Sequence, residues 1–243
     1  MMKFIRLIYS VYAILVFNIL MVAMGLFILI PSLFPPKGIR VSFFFIRLWA
    51  KWWSFLVGIR FQVEGMEHID RSLAYIYTFN HRSFLDAPVI PMSIPQEIRA
   101  LGKKELKKIP LFGWVISPYA VWVDRKNPES REKSIQKLNQ FLSEGHSIVV
   151  APEGTRNDSD QTLLPFFNGA FRLSIETQTP LLPMAIIGSE KVMPKGSLWM
   201  WPGTVRIYFS APIFPPRDLR AADIETLKEK CFNRLEAMIL THE

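Results

Sequence analysis

The chain has 243 residues, half of them hydrophobic, and a formal net charge of +8. Its mean hydropathy is +0.19, high for a soluble domain, and its length suits one domain with an appended segment. A single cysteine, Cys231, excludes a disulfide framework and a cysteine-built metal site, and the four histidines fall at no zinc-like spacing, so no metal is required.

Placement of the charge argues against a nucleic-acid reader. Residues 1–60 hold seven basic side chains and no acidic one, while the remainder holds 22 basic against 21 acidic. A basic excess beside an apolar segment suits an anionic lipid surface.

The first predicted element is a helix over Leu7–Ile30, 24 residues without a charged side chain. At about 36 Å it is long enough to cross a hydrocarbon core of about 30 Å. A cleaved signal peptide is the competing reading, but the run is long and no small-x-small cleavage site follows. "PSLFPP" at 31–36 breaks the helix. The next stretch, "VSFFFIRLWAKWWSFLVGI" at 41–59, reads as a second, amphipathic helix. Arg40, Arg47, Lys51, Ser54 and Gly58 fall on one side, and Phe44, Leu48, Trp52, Phe55 and Ile59 on another. The pair is expected to form a membrane-associated hairpin over residues 1–60. Basic residues flank the first run on both sides, which mildly favours a re-entrant anchor over a span. The alternative is a helix pair buried against the domain.

Beyond Arg60, short apolar runs alternate with helical patterns. Strands are predicted at Phe61–Val63, Leu73–Phe79, Ala120–Val123, Ser147–Ala151, Leu181–Ile187 and Val205–Phe209. Helices are predicted near 84–92, 104–117, 128–144, 167–177 and 221–240. The 128–144 helix is the best marked: Asn127 can cap it, Pro128 suits its first position, and Gly145 ends it. On the last helix, Cys231 shares a face with Ile224, Leu227, Leu235 and Met238, which makes it a core thiol. The fold class is α/β: a central, mostly parallel or mixed sheet covered by helices, preceded by the N-terminal hairpin.

Four segments carry chemistry. "NHRSFLD" at 80–86 follows a strand. A histidine in that turn can fold over Asp86, whose carboxylate fixes the tautomer and frees the other ring nitrogen to take a proton from an alcohol. "LGKKELKKIPLFGW" at 101–114 is densely basic, either an anion site or a solvated face. "VWVDR" ends a strand in Arg125, placed to reach a cleft or to pair with Asp124 on the surface. "VVAPEGTR" runs a strand into Glu153, Gly154, Thr155 and Arg156. Its glycine admits close backbone approach, and its arginine fork suits phosphate.

In that order and at those spacings, the four segments resemble the motif blocks of the 1-acyl-glycerol-3-phosphate acyltransferases, glycerolipid acyltransferases with a His-x-x-x-x-Asp motif. "NHRSFLD" is similar to the first block, "GKKELKKIPLFGW" with "VWVDR" to the second, "PEGTR" to the third, and "LLPMAI" at 181–186 to the fourth. The likeness covers about residues 60 to 215, and the aromatic N-terminal hairpin is similar to the membrane motif of bacterial members. The resemblance implies an acyltransferase domain over 61–243 with His81 as base and Asp86 as its orienting partner. Lys104, Arg125, Glu153, Gly154, Thr155 and Arg156 would bind the acceptor. Asn80 would help shape the turn.

It further implies transfer of a fatty acyl group to the free hydroxyl of a lysophosphatidic acid in phospholipid biosynthesis. The donor would be a thioester of coenzyme A or acyl carrier protein, with no cofactor, and the partners would be membrane lipids. The domain would lie on the cytoplasmic face, where thioester donors are found. One departure stands out: "PFFNGA" at 165–170 places Phe167 where the family often has a lysine, which keeps another lyso-lipid, such as an aminolipid, open as acceptor. A non-catalytic lipid-binding protein and a lipid hydrolase are the remaining alternatives. "SLWMW" at 197–201 either borders a lipid entrance or packs on the surface.

Overall fold

The computed structural model describes residues 2–217 and 221–243. Two long helices, α1 (Met2–Ser32) and α2 (Lys37–Val57), form the expected hairpin. The turn between them is tight: a Cβ on Gly38 would collide with the Pro31 carbonyl, so only glycine fits there.

α2 turns one stripe inward and leaves part of the aromatic stripe expected to meet lipid on the outside. Phe43, Ile46, Trp49, Trp53 and Val57 face inward, while Phe44, Trp52 and Phe55 are exposed. Of the residues assigned to the polar side, Ser54 is buried and Arg47 is half-buried, donating to the Pro95 carbonyl. The physical reason is the three-ring contact of Phe17 on α1 with Trp49 and Trp53, whose indole nitrogens donate to the α1 carbonyls of Phe17 and Ala13. Hairpin and domain share one hydrophobic core, running from Ala13 and Trp49 through Tyr77 to Phe209. Packing is therefore continuous across residue 60, where composition changes.

The sheet has seven strands: β1 (Ile59–Glu64), β2 (Ile76–Phe79), β3 (Ile98–Lys103), β4 (Ala120–Val123), β5 (Ser147–Val150), β6 (Leu181–Ile187) and β7 (Gly203–Phe209). Their order is β1-β7-β6-β2-β5-β3-β4, parallel except where β6 meets β7. β2 lies between β5 and β6, and all three strands are buried on both faces, as a doubly covered sheet requires. α1, α2 and α3 (Asp86–Ser93) contribute to the core on one face. α5 (Pro128–Ser143), α6 (Gly169–Thr177) and α8 (Ala221–His242) contribute to the core on the other. Asn127 caps α5 as expected, its Oδ1 accepting the Glu129 and Ser130 amides.

Two expectations are corrected. β3 was not predicted: its Arg99, Gly102 and Lys103 interrupt the apolar pattern. Arg99 is nonetheless buried, 2.6 Å from Glu97 and over the rings of Tyr119 and Phe141. The helix expected over 104–117 is instead a single tight turn (Lys104–Lys108), a reversal at Leu111 (φ 63°) and a short α4 (Phe112–Ile116). Pro110 within that stretch cannot sustain a continuous helix. A four-residue helix, α7 (Ser189–Val192), follows β6.

Candidate active site

β2, β3, β4 and β5 run parallel, so the segments leaving their carboxyl ends gather on one edge of the sheet. These segments start at Asn80, Lys104, Asp124 and Ala151, and they carry every expected site residue. In open α/β sheets this edge is where ligands bind.

The turn after β2 is held on several sides. Asn80 is buried and exchanges both amide bonds with the Ile186 backbone on β6, at 2.8 and 2.7 Å. Ser83 donates to the Met193 carbonyl and accepts the Leu85 amide. Within this turn His81 Nδ1 lies 2.7 Å from Asp86 Oδ2. Asp86 is 1% exposed, and the same Oδ2 accepts the amides of Arg82 and Ser83 at 3.2 and 3.1 Å. With Nδ1 donating to the carboxylate, the lone pair lies on Nε2, the arrangement of a general base. The His81 side chain is 24% exposed, within reach of a substrate.

Glu153 takes a different place from the acceptor-binding one expected of it. It is 2% exposed, and its two oxygens accept the His81 amide at 2.9 Å and the Leu164 amide at 2.8 Å. It straps the loop after β5 to the turn after β2, and so positions His81. Burial pushes its carboxyl above the usual range, while those two amides and the nearby His81 and Arg82 pull it back. The His81 carbonyl completes the strap by accepting the Asn157 amide at 2.7 Å.

Gly154 adopts φ +66°, and a Cβ there would meet the Phe167 ring at 2.7 Å. Thr155 is exposed beside it. Arg156 lies with its guanidinium carbon 3.5 Å from the centre of the Phe84 ring. Burial lowers its pKa, with Arg125 lowering it further and Asp86 and Asp158 opposing. Arg125 is likewise lowered by burial, against the charge of Glu105. Lys104 is exposed, its Nζ 3.8 Å from Asp124. Arg125 and Arg156 thus share one field, and the cationic residues stand on the same sheet edge as the dyad.

Lys195 was missed by the sequence reading. Its ammonium reaches the Arg156 carbonyl and lies 2.8 Å from Asp158. A lone lysine in a Pro-Lys-Gly turn gives no local signal of this. The segment that carries it also packs on the hairpin: the Met200 amide donates to Ser10 on α1 at 2.8 Å, and Trp201 meets Tyr9 edge to face. Among the described residues, no group of three or more His, Cys, Asp or Glu side chains is placed to hold a metal ion.

A covered α/β sheet with an imidazole–carboxylate pair and an arginine-bearing glycine loop on its carboxyl edge has the parts of a group-transfer enzyme that activates an alcohol. Comparison with known proteins agrees: the family model described as Acyltransferase matches residues 60–187, and the chain belongs to that family. Among its relatives, the chloroplastic 1-acyl-sn-glycerol-3-phosphate acyltransferase BAT2 of Brassica napus is 31% identical over 185 residues. That match covers 75% of this chain and 53% of the relative. LPAT1 of Arabidopsis thaliana, of the same name and compartment, is 31% identical over 184 residues, covering 74% and 51%. The chain spans about half the length of these curated relatives. The crystal structure of the 1-acyl-sn-glycerophosphate acyltransferase PlsC from Thermotoga maritima superposes with a TM-score of 0.82 at 25% identity, covering 98% of both chains.

Proposed function

We propose that this chain is a membrane-bound acyltransferase that acylates the free hydroxyl of 1-acyl-glycerol-3-phosphate to give phosphatidic acid. The observation that carries the reading is the His81–Asp86 contact beside Arg156 on one sheet edge. The names of the relatives support the same acceptor. In the reaction, His81 Nε2 takes the hydroxyl proton as the oxygen attacks the thioester carbonyl carbon. The tetrahedral intermediate collapses, the C–S bond breaks, and the leaving thiolate takes the proton from the imidazolium. Asp86 holds the ring and supports its transient charge. Arg125, Arg156 and Lys104 hold the phosphate, which sets the distance from phosphate to attacking hydroxyl. The donor is a thioester of coenzyme A or acyl carrier protein, and no cofactor takes part.

The hairpin is the anchor in this reading. α1 is long and apolar enough to cross a membrane, and Phe4, Leu15, Ile19 and Leu26 on it are exposed, as are Leu33 and Phe34 in the turn that follows and Phe44 and Phe55 on α2. An exposed apolar surface of this extent suits lipid. Thioester donors are cytosolic, which supports a cytoplasmic-facing domain.

Phe167 favours a second acceptor class. It is 68% exposed, lies against Gly154, and brings no charge where the family often has lysine. A phosphate-free lyso-aminolipid is the acceptor such a site would take. The test is acyl transfer by the detergent-solubilised protein, with a thioester donor and each acceptor in turn. Phosphatidic acid formation that His81→Ala abolishes and Arg156→Ala weakens is the expected result. Transfer to the aminolipid alone would move the assignment to that acceptor.

A further inference from the structure

Phe84 lies inside the His81–Asp86 turn, yet its ring belongs to the acceptor side of the site. The Arg156 guanidinium sits on its face, 3.5 Å from the ring centre. Both partners are held by their backbones. Ser83 and Leu85, on either side of Phe84, are buried and joined by a hydrogen bond. The Arg156 carbonyl is capped by Lys195, and the Asn157 amide is bonded to His81. The ring itself remains 39% exposed, so burial of an apolar side chain does not account for its position.

An aromatic face holds a guanidinium in a way that a carboxylate does not. It attracts the cation through the ring's quadrupole and fixes the plane of the fork. It occupies none of the five N–H donors, which lie in that plane. A carboxylate partner would engage two of them and cancel the charge. Arg156 Nη1 is accordingly buried with no hydrogen-bond partner among the described residues. A buried donor left open in this way suits an anionic ligand.

We propose that Phe84 is a positioning residue for Arg156, fixing its guanidinium as a phosphate-directed fork and so setting the preference for an anionic acceptor. This rests on the phosphate-acceptor reading above. A loose arginine would lose side-chain entropy each time it bound, and Phe84 removes part of that cost beforehand.

The test compares Phe84→Leu, which keeps apolar bulk without a face, with Phe84→Tyr and Phe84→Trp, which keep the face. Full-length protein in detergent is assayed with lysophosphatidic acid and with a lyso-aminolipid, and thermal melts check folding. Phe84→Leu should raise KM for lysophosphatidic acid roughly three- to thirtyfold and leave KM for the thioester donor unchanged. Tyr and Trp should restore it, and Phe84→Leu should add little to Arg156→Ala. An unchanged KM in Phe84→Leu, beside a raised one in Arg156→Ala, overturns the role of Phe84 alone. A loss that neither aromatic restores, or that falls equally on both acceptors, overturns it as well. An unchanged KM in Arg156→Ala overturns the phosphate reading beneath it.

Discussion

Asp86 serves the His81 ring and the turn backbone with one oxygen: Oδ2 lies 2.7 Å from His81 Nδ1 and also accepts the Arg82 and Ser83 amides. Oδ1 is buried with no hydrogen-bond partner among the described residues. The carboxylate is therefore both the turn's organiser and the ring's acceptor. Asp86→Asn can keep the turn and the ring contact with an oxygen in the Oδ2 place, but it carries no charge and sets an amide NH2 in the buried, unpartnered Oδ1 position. The imidazolium that forms when His81 takes the proton then lacks its counter-charge. Transfer should fall by about 10³- to 10⁴-fold, the scale seen when the carboxylate behind a catalytic histidine is replaced by its amide. Initial rates measured beside a thermal melt test this; near-normal turnover in a folded variant would remove Asp86 from the mechanism.

Glu153 gives a pH dependence of stability with a defined sign. Burial raises its folded-state pKa above the ordinary value of about 4.3. Its contribution is fully present below the unfolded value, and is lost as pH rises through the folded one. Glu153→Gln does not titrate, so the stability difference between wild type and variant should shrink across that window and stay level above it. The variant also replaces one acceptor with a donor against a backbone amide, at a cost of about 1–3 kcal/mol. Urea unfolding in detergent between acid and neutral pH measures both effects, and a difference independent of pH would contradict the first.

At Gly154 two costs can be separated. The left-handed backbone costs an L-residue about 1–2 kcal/mol, and the Phe167 ring stands 2.7 Å from where a Cβ would sit. Because that ring is largely exposed it can swing aside, so backbone strain should dominate. Gly154→Ala should lower the melting temperature, and adding Phe167→Ala should recover only a minor share. Full recovery in the double variant would show the clash to be the main cost.

Cys231 should be silent in catalysis. Burial pushes its thiol up to about 11, with the Thr78 hydroxyl, 3.3 Å away, pulling slightly down. At pH 8 it is protonated and inaccessible. Iodoacetamide should leave the native mass unchanged and label the denatured chain once. Cys231→Ala should keep full transfer activity while losing about 1–2 kcal/mol of stability. Loss of transfer in a stable Cys231→Ala protein would reopen a covalent mechanism.

Much of the molecule is legible along the chain because its signals are local. The Asn127 cap, the Leu181–Ile187 strand and the uncharged first helix each depend on neighbours a few residues apart, and the structure has all three. The spacing of His81 and Asp86 likewise lies within one turn. β3 was not legible, because Arg99 reads as a surface residue until Glu97, Tyr119 and Phe141 surround it. The same holds for α2, whose buried stripe is chosen by Phe17 on another helix. At the site, sequence determined which residue types were present, and tertiary structure decided what each one faces. Glu153 turns inward to two amides, Arg156 lies on Phe84, and Lys195 arrives from a segment that also grips α1. The reason is the placement of β2 between β5 and β6, which brings together loops far apart in sequence. No local propensity encodes that meeting.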